Sequence, residues 1–303
     1  MTSLKQLRYL SVLAGAGHFG RAAELAGVSQ PALSMQIKEL ERILGGPLVE
    51  RSAAGARLTE LGADVAGRAT QILAAVRDLE DLAFARGAVL SGRLRLGIIP
   101  SIAPFLLPRL LGVAGARYPL LKLSLRESVT RVLVDELVAG ELDAIVASLP
   151  LGSPELTEAA AFEDRFLLAV PADSPHARRS PALADLISAE ELLLLEDGHC
   201  LRDQALEVCA AIDPRRLRSF GATSLATLLQ LVAAGHGITL VPQLAVEAGA
   251  AIDGRVNIIR FADPEPRRTV AVAWRSSSPR ERDFRALVDL VREAGDVGQG
   301  RSS

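Results

Sequence analysis

Hydrophobic side chains recur at helical spacing along the first part of the chain. The pattern predicts a first helix over Leu4 to Ala16 and a short second helix over Phe19 to Ala26. The apolar face of the first predicted helix comprises Leu4, Leu7, Leu10 and Ala14. A turn follows at Gly27-Val28, and Ser29 is a typical N-cap for a third helix. These elements predict a small all-α head over residues 1–59.

The third predicted helix has two distinct faces. Its apolar stripe, which should face the core, comprises Leu33, Ile37, Leu40 and Leu44. Its opposite face and exposed N-terminal end comprise Gln30, Pro31, Ser34, Met35, Lys38 and Arg42. Such a helix could belong to an ordinary three-helix bundle with a solvated face, or it could read the major groove of DNA. The candidate DNA contacts on it are Ser29, Gln30, Pro31, Ser34, Met35 and Lys38. The spacing alone leaves these two interpretations about even.

A long helix is predicted next, from an N-cap at Thr59 to about Arg86. Its apolar positions recur every three or four residues and comprise Leu61, Val65, Ala69, Ile72, Val76, Leu79 and Ala83. This spacing is typical of a seam between two helices. The helix could pack on its own domain, but a long helix between domains more often pairs with a second copy. Gly87 to Gly92 are predicted to form a hinge, which makes residues 60–90 a linker region.

Strand and helix patterns alternate after the hinge. The first elements predicted there are strands at Arg95–Ile99, Lys122–Glu127 and Ala144–Ala147 and helices at Pro104–Arg117 and Arg131–Ala139. This βαβ series predicts a mostly parallel sheet covered by helices. Ala161 to Val170 should cross into a second lobe, Arg268 to Trp274 should return, and a helix at Arg280–Glu293 closes the chain. The pattern predicts an α/β effector region over 91–303.

Two crossings between two α/β lobes form a clamshell, whose cleft usually binds a small ligand. The first lobe is predicted at about 91–163 and 268–303, and the second at about 164–267. The second lobe should also contain a helix at Leu225–Ala234 and a strand at Gly237–Val241.

Both cysteines of the chain, Cys200 and Cys209, lie in one segment of the second lobe. This segment is predicted to form a buried strand, a turn and a helix, at Leu192–Leu195, Asp197–Gly198 and Leu201–Ile212. Cys200 therefore lies where a loop becomes a helix, and the peptide dipoles there favour a thiolate. His199 and Arg202 could add positive charge, whereas Asp203 opposes it unless it pairs with Arg202. Two inert core thiols are the alternative, but this position favours a reactive Cys200.

Charge restricts where a nucleic acid could bind. The net charge of the 303 residues is only −2, so the chain as a whole is not a polycation. Residues 1–59 hold seven Lys or Arg against four Glu, which is +3 and leaves −5 for the remainder. The asymmetry has the sign that a DNA-binding head needs.

No metal site, secretion signal or membrane span is predicted. Two cysteines cannot form a zinc cage alone, and no ligand spacing surrounds His18, His176, His199 or His236. The N-terminal MTSLKQLRYL lacks the layout of a signal peptide, and no run approaches the ~18 apolar residues of a membrane span. We therefore expect a cytoplasmic protein without a cofactor, in which a disulfide would be transient or sensory.

The run FGRAAELAGVSQPALSMQIKELERILGGPLVER resembles the DNA-binding head of LysR-type transcriptional regulators. The match covers two helices, the turn, the Ser29-Gln30-Pro31 start and the segment from Leu48 to Arg51. The resemblance implies a winged helix-turn-helix, with a wing at Gly45 to Leu58 that places Arg51 against DNA. It also implies a dimer through the linker helix and a two-lobed effector region of the periplasmic-binding-protein type. The wing is poorer in cations than is usual in the family.

The segment LEDGHCLRDQA, with a second cysteine nine residues after the first, resembles the peroxide-sensing members of the same family. So do the segments IPSIAPFLLP, ATSLATLLQLVAAGHGITLVPQLAV and PEPRRT. The resemblance implies that hydrogen peroxide oxidises Cys200 and that Cys209 resolves the product into a disulfide. The peroxide pocket that it implies comprises Ser101, Thr130, His199, Arg202, Asp203 and Arg267. Position 101 is usually Thr in this group, and Ser keeps the hydroxyl.

Three functions remain in view. The leading hypothesis is a redox-switched DNA-binding regulator rather than an enzyme. Its expected partners are double-stranded DNA, hydrogen peroxide, further copies of itself as a dimer and a tetramer, and RNA polymerase, with no membrane. The second is a LysR-type regulator that binds a small organic acid; Thr223 and Ser224 at a helix start could hold an anion, although ordinary N-capping is favoured. The third is a thiol peroxidase, against which the DNA-binding head argues.

Overall fold

The computed structural model describes residues 1–52, 55–85, 87–175, 191–208, 215, 217–250 and 254–296. The chain forms two compact units, Met1–Ala83 with Val138–Glu141 and Phe84–Leu137 with Leu142–Ser303. The first unit is mainly helical and the second is α/β, which confirms the predicted fold class. No helix in the described part of the chain is long and apolar enough to cross a membrane.

The head contains three helices and a hairpin, which are α1 (Leu4–Ala16), α2 (Phe19–Ala26), α3 (Gln30–Leu44), β1 (Val49–Ser52) and β2 (Gly55–Leu58). All three predicted helices are confirmed. The core comprises Tyr9, Leu10, Leu13, Phe19, Leu33, Ile37, Leu40 and Leu48 among others. The predicted apolar faces are partly wrong, because Leu4, Ala14 and Leu44 are exposed. The buried side of α1 is fixed by where α2 and α3 pack, and it includes Tyr9 and Leu13 instead.

The linker helix α4 spans Glu60–Ala85. The hydroxyl of Thr59 accepts a hydrogen bond from the backbone N–H of Gly62 at 2.9 Å, which confirms the predicted N-cap. Small residues of α4 are buried, among them Ala66, Ala69 and Ala74. Several of its large apolar side chains are exposed, among them Leu61, Ile72, Leu79 and Leu82.

The α/β unit begins with β3 (Gly92–Ile98), α5 (Ala103–Arg117), β4 (Leu121–Glu127), α6 (Thr130–Val138), β5 (Ala144–Ser148) and β6 (Leu156–Pro171). It continues with β7 (Leu192–Leu194), α7 (Cys200–Val208), β8 (Leu217–Ser219), α8 (Leu225–Ala233), β9 (Thr239–Pro242) and α9 (Gln243–Glu247). The last described elements are β10 (Val256–Arg260), β11 (Arg267–Arg275) and α10 (Glu281–Gly295).

The sheet of the first lobe is mixed rather than mostly parallel. Strand β3 pairs in parallel with β4 and β5, as the βαβ pattern predicts. Strand β11 pairs antiparallel with β5 and with β6. The antiparallel part arises because β6 leaves this lobe and β11 returns to it, so the two crossing strands must run in opposite directions.

The second lobe continues from the far half of β6, which pairs antiparallel with β9 and β10. Helix α8 packs on this sheet, and Leu225, Leu228, Leu229 and Val232 contribute to the core. The hydroxyl of Ser224 accepts from the N–H of Thr227 at 3.2 Å, so the favoured N-capping role is confirmed. Strand β7 runs parallel to β8, and its leucines are fully buried, as the apolar run predicts.

The predicted hinge is anchored to the α/β unit at one residue. The side chain of Leu90 is fully buried, and its backbone N–H donates to the carboxylate of Asp283 on α10 at 2.9 Å. Leu90 has a φ of 50° and Gly92 a φ of 80°. The segment therefore turns sharply into β3.

Candidate functional site

The exposed surface of α3 carries the predicted DNA-reading residues. The hydroxyl of Ser29 accepts from the N–H of Ala32 at 3.4 Å and caps the helix. Leu33, Ile37 and Leu40 fix one side of α3 in the core. The predicted contact residues of this helix are exposed at Ser29, Gln30, Pro31, Met35 and Lys38, and half-buried at Ser34. A capped helix with its polar side outward can enter a major groove.

The wing is a short hairpin. Strands β1 and β2 pair antiparallel, with Val49 opposite Leu58 and Ser52 opposite Gly55. The backbone of Arg51 lies in β1, opposite Ala56. The N–H of Ala56 donates to the carbonyl of Gly17 at 2.8 Å, which attaches the hairpin to the end of α1. The backbone thus provides the wing that the resemblance implies.

Cys200 is the first residue of α7. Gly198 precedes it with a φ of 91°, a conformation that favours glycine, and the N–H of Arg202 donates to the carbonyl of His199 at 2.9 Å. The Cys200 side chain is a half-buried free thiol, and its position at a helix start agrees with the prediction. Cys209 lies outside the described residues.

The thiol of Cys200 faces a hydroxyl from the other lobe. Its Sγ lies 4.0 Å from the Oγ of Ser101, in the turn between β3 and α5. Ser101 is buried, and its Oγ also accepts a hydrogen bond from the Nη1 of Arg268 at 2.8 Å. Arg268 is held in turn by the carboxylate of Asp164, at 2.8 Å and 3.0 Å from its Nη2 and Nε. The two lobes therefore meet in a continuous polar chain that ends at Cys200.

A small cavity opens beside Cys200. It is lined by Ile99, Pro100, Ser101, Val129, Thr130, His199, Cys200 and Leu201. Its volume of about 10 Å³ is near the smallest that can hold one water-sized molecule. The Oγ1 of Thr130 is buried and has no hydrogen-bond partner among the described residues. An unpaired buried hydroxyl is costly, so it favours a small polar guest.

The charged residues predicted for the pocket are placed differently from one another. His199 lines the small cavity. The guanidinium of Arg202 donates to the carbonyl of Leu195 at 3.0 Å and pairs with Asp197 at 2.8 Å, so much of its charge is balanced there. Asp203 is exposed and lines a larger neighbouring cleft. Ser101, Thr130 and His199 are thus brought together at Cys200, while Arg202 and Asp203 lie at the edge.

Arg268, rather than the predicted Arg267, is the arginine that contacts Ser101 of the cavity. Successive side chains of a strand point to opposite faces, and Arg267 lies on the exposed face of β11. Arg268 lies on the buried face, in line with Val270 and Val272. Strand alternation in the sequence could have found this, because the predicted strand already places Arg268 in register with the apolar residues. Asp164 carries no comparable local signal.

A larger cleft of about 470 Å³ lies on the other side of Cys200. Its walls include Thr130 and Ser148 from the first lobe and Cys200, Asp203 and Gln204 from α7. The Nε2 of Gln204 donates to the Oγ of Ser148 at 2.6 Å, a second direct contact between the lobes. Prediction from the sequence missed Gln204 and Ser148, because neither carries a charge or a motif.

Both units match family models. Residues 4–63 match "Bacterial regulatory helix-turn-helix protein, lysR family", and residues 87–296 match "LysR substrate binding domain". A probable hydrogen peroxide-inducible genes activator from Streptomyces viridosporus is 40% identical over 96% of this chain and 94% of its own. The DNA-binding transcriptional dual regulator OxyR from Escherichia coli K12 is 39% identical over 97% and 96%.

Solved structures agree with this similarity. Full-length OxyR from Pseudomonas aeruginosa, in a form with one cysteine replaced by aspartate, has a TM-score of 0.77 at 37% identity. The match covers 96% of this chain and 95% of that one. A hydrogen-peroxide-bound cysteine-to-serine mutant of Corynebacterium glutamicum OxyR has a TM-score of 0.67 at 32% identity, over 97% and 92%.

Proposed function

The chain belongs to the LysR family of bacterial transcriptional regulators, and we propose that it binds promoter DNA and senses hydrogen peroxide through Cys200. One observation carries the proposal. The Sγ of Cys200 lies 4.0 Å from a buried serine hydroxyl, beside a cavity with room for about one water-sized molecule. A guest of that size that reacts with a thiol is a peroxide rather than an organic metabolite.

The chemistry uses groups that already surround the thiol. The thiolate of Cys200 attacks one peroxide oxygen, the O–O bond breaks, and hydroxide leaves and takes up a proton to become water. The hydroxyls of Ser101 and Thr130 can hold the peroxide, because each both donates and accepts a hydrogen bond. The positive charge of Arg268, which touches Ser101, favours the departing hydroxide. Cys200 is left as a sulfenic acid.

The second step transfers this oxidation to Cys209. The thiol of Cys209 attacks the sulfenic sulfur, a disulfide forms and water leaves, and a cellular dithiol can reverse the reaction. From Cys200 to Val208 the chain is helical and advances about 12 Å at ~1.5 Å per residue. A disulfide holds two Cα atoms roughly 5.5–6 Å apart. Disulfide formation therefore requires that α7 unwinds, which turns oxidation into a conformational signal.

DNA binding is assigned to α3 and the wing, and self-association to α4. The exposed Leu61, Ile72, Leu79 and Leu82 of α4 leave an unusually apolar surface on one helix. A groove of about 400 Å³ between α1, α3 and α4 is lined by Leu4, Leu7, Leu44, Val65 and Ile72 among others. Burial of these side chains against a second copy would form a dimer, which matches the two half-sites of a typical operator. The tetramer and RNA polymerase remain predicted partners.

Binding of a small ligand in the larger cleft is the second candidate. Its volume of about 470 Å³ is in the usual range for a ligand site. The charged residues of its lining are Asp135, Asp203 and Glu207 against one cation, Arg131. This charge balance disfavours the organic acid that the sequence suggests as a ligand. Peroxide at Cys200 remains the better supported signal.

Intact mass after a small peroxide dose tests the proposal. The wild-type chain should lose two mass units as the disulfide forms, and a footprint on operator DNA should change in the same samples. Cys200→Ser should keep its mass and its footprint, because a hydroxyl is not ionised near neutral pH. A footprint that still changes in Cys200→Ser would contradict the assignment of the sensor.

A further inference from the structure

The two crossing strands carry a buried ion pair that faces the reactive cysteine. Asp164 on β6 and Arg268 on β11 lie directly opposite each other in the antiparallel register. The two side chains meet at 2.8 Å, and each is only 1% exposed. Removing two charges from water is expensive, so a buried pair contributes little net stability. Stability alone therefore does not explain why this ion pair is present.

The hydrogen bonds of the pair fix the guanidinium in one orientation. One edge of Arg268 donates through Nε and Nη2 to the Oδ2 of Asp164. Its other contacts run from Nη1 to the Oγ of Ser101 at 2.8 Å and from Nη2 to the carbonyl of Ser101 at 3.2 Å. The Oδ1 of Asp164 accepts from the N–H of Leu244 at 3.0 Å, so both carboxylate oxygens are held.

This orientation decides what the Ser101 hydroxyl can do. Because its oxygen accepts from Arg268, its own proton is available to another acceptor. The Sγ of Cys200 lies 4.0 Å away, on the side of the small cavity. A thiolate or a peroxide oxygen at that point would receive the proton of Ser101 as a hydrogen bond. A guanidinium free to rotate would not keep this polarity.

We propose that Asp164 is a positioning residue for the peroxide reaction: it holds Arg268 against Ser101 and so sets the rate at which peroxide oxidises Cys200. Asp164 does not itself line the cavity beside Cys200. The inference rests on the proposed peroxide reaction at Cys200. Asp164 lies outside the LEDGHCLRDQA segment around the cysteine, and this carboxylate is given a role in the reaction.

Two second-order rate constants of the full-length chain test this role. The first is for oxidation of Cys200 by hydrogen peroxide, and the second is for its alkylation by iodoacetamide. Alkylation needs the thiolate but no donor for a departing hydroxide. Asp164→Asn keeps an acceptor for Leu244 and removes the charge that orients Arg268. We expect the peroxide rate constant to fall by ~10- to 100-fold, as for a misplaced catalytic group, and the alkylation rate constant to change by less than about twofold.

Matched variants separate positioning from damage to the fold. Glu163→Gln changes the neighbouring carboxylate, which is exposed and accepts from Thr269, and it should leave both rate constants unchanged. The double variant Asp164→Asn with Arg268→Gln should be no slower with peroxide than Arg268→Gln alone. Should Asp164→Asn fail to fold, Asp164→Glu keeps the charge, displaces the guanidinium and should show the same selective loss.

Two results would overturn the inference. One is a peroxide rate constant within twofold of wild type in the folded Asp164 variants. The other is an equal fall of both rate constants, which would mean a general loss of the thiolate or of the local fold. Failure of the proposed function itself is distinguishable, because wild-type Cys200 would then be alkylated normally and not be oxidised by peroxide.

Discussion

The side-chain amide of Gln204 donates to the hydroxyl of Ser148 at 2.6 Å and so joins α7 to the end of β5. Ser148 is buried in the first lobe, and Gln204 lies one helical turn after Cys200 in the second. Unwinding of α7 is expected to break this bond. The bond therefore belongs to the reduced state and should stabilise that state relative to the disulfide.

Loss of the Gln204–Ser148 bond should make the chain easier to oxidise. A hydrogen bond of this kind contributes about 1 kcal/mol net, and for a two-electron couple that corresponds to roughly 20 mV. Gln204→Ala should move the reduction potential of the Cys200–Cys209 pair to a more negative value by about this amount. Equilibration with a dithiol redox buffer measures it.

Ser148→Ala provides the matched control for this shift. It removes the same bond from the other lobe, so it should give a similar shift, and the double variant should not add the two. An unchanged potential in both single variants would show that the bond does not distinguish the redox states.

Lys38 and Gln30 should affect DNA binding in different ways. Lys38 is exposed on α3, where its ammonium can contact phosphate. Lys38→Ala should therefore weaken binding to every DNA sequence. The slope of log binding constant against log salt concentration should become shallower by about 1. Gln30→Ala should instead lose about 1–3 kcal/mol of discrimination at one position per half-site. Anisotropy titrations against operator and shuffled DNA, at several salt concentrations, separate the two effects.

Arg285→Ala is the control for the loss of a positive charge. It removes one exposed cation from α10 and should alter neither the salt dependence of DNA binding nor the discrimination between bases. Wild-type affinities for both α3 variants would exclude α3 as the groove-reading helix.

An acidic side chain on the exposed side of α4 should weaken self-association. Leu79 is 66% exposed, and burial of a leucine against a second copy would contribute about 1.5–3 kcal/mol. Leu79→Glu should therefore raise the dimer dissociation constant by at least about tenfold, as measured by sedimentation. Leu25→Glu alters another exposed leucine, on α2, and should leave the dimer intact. Equal dissociation of the two variants would argue against a dimer through α4.

Local patterns in the sequence explain most of the fold and part of the site. The apolar stripe of α3, the N-caps at Ser29 and Thr59 and the position of Cys200 at a helix start all follow from neighbouring residues. The pairing of Asp164 with Arg268 spans 104 residues, and no local pattern specifies it. The PEPRRT segment alone does not distinguish Arg267 from Arg268, because the two differ in the face of β11 on which they lie.

Glu265 should make stability depend on pH in the acidic range. Arg260 donates to its carboxylate at 2.8 Å and 3.0 Å and Arg165 lies 2.9 Å from it, and these contacts, the Arg260 hydrogen bonds first, lower the pKa of Glu265 below its ordinary value. A lowered pKa means that this stabilisation is present above the unfolded-state pKa and is lost as pH falls through the folded-state pKa.

Glu265→Gln should therefore cost about 1 kcal/mol at neutral pH, since both arginines are largely exposed, and the deficit should shrink below about pH 4. Urea unfolding of both proteins between acidic and neutral pH measures this. Glu281→Gln, which loses an exposed pair with Arg285, should stay within about 0.5 kcal/mol of wild type throughout. A deficit that is the same at every pH would assign the loss to packing rather than to the charge.

If peroxide acts on Cys200 as proposed, the resulting disulfide unwinds α7. Amide hydrogen exchange across residues 199–208, before and after a small peroxide dose, tests it most directly. The reduced chain should protect the amides of α7, and the oxidised chain should exchange them faster. Cys209→Ser, which can form the sulfenic acid but no disulfide, should stay protected. Unchanged protection in a wild-type chain whose disulfide is confirmed by mass would contradict the account.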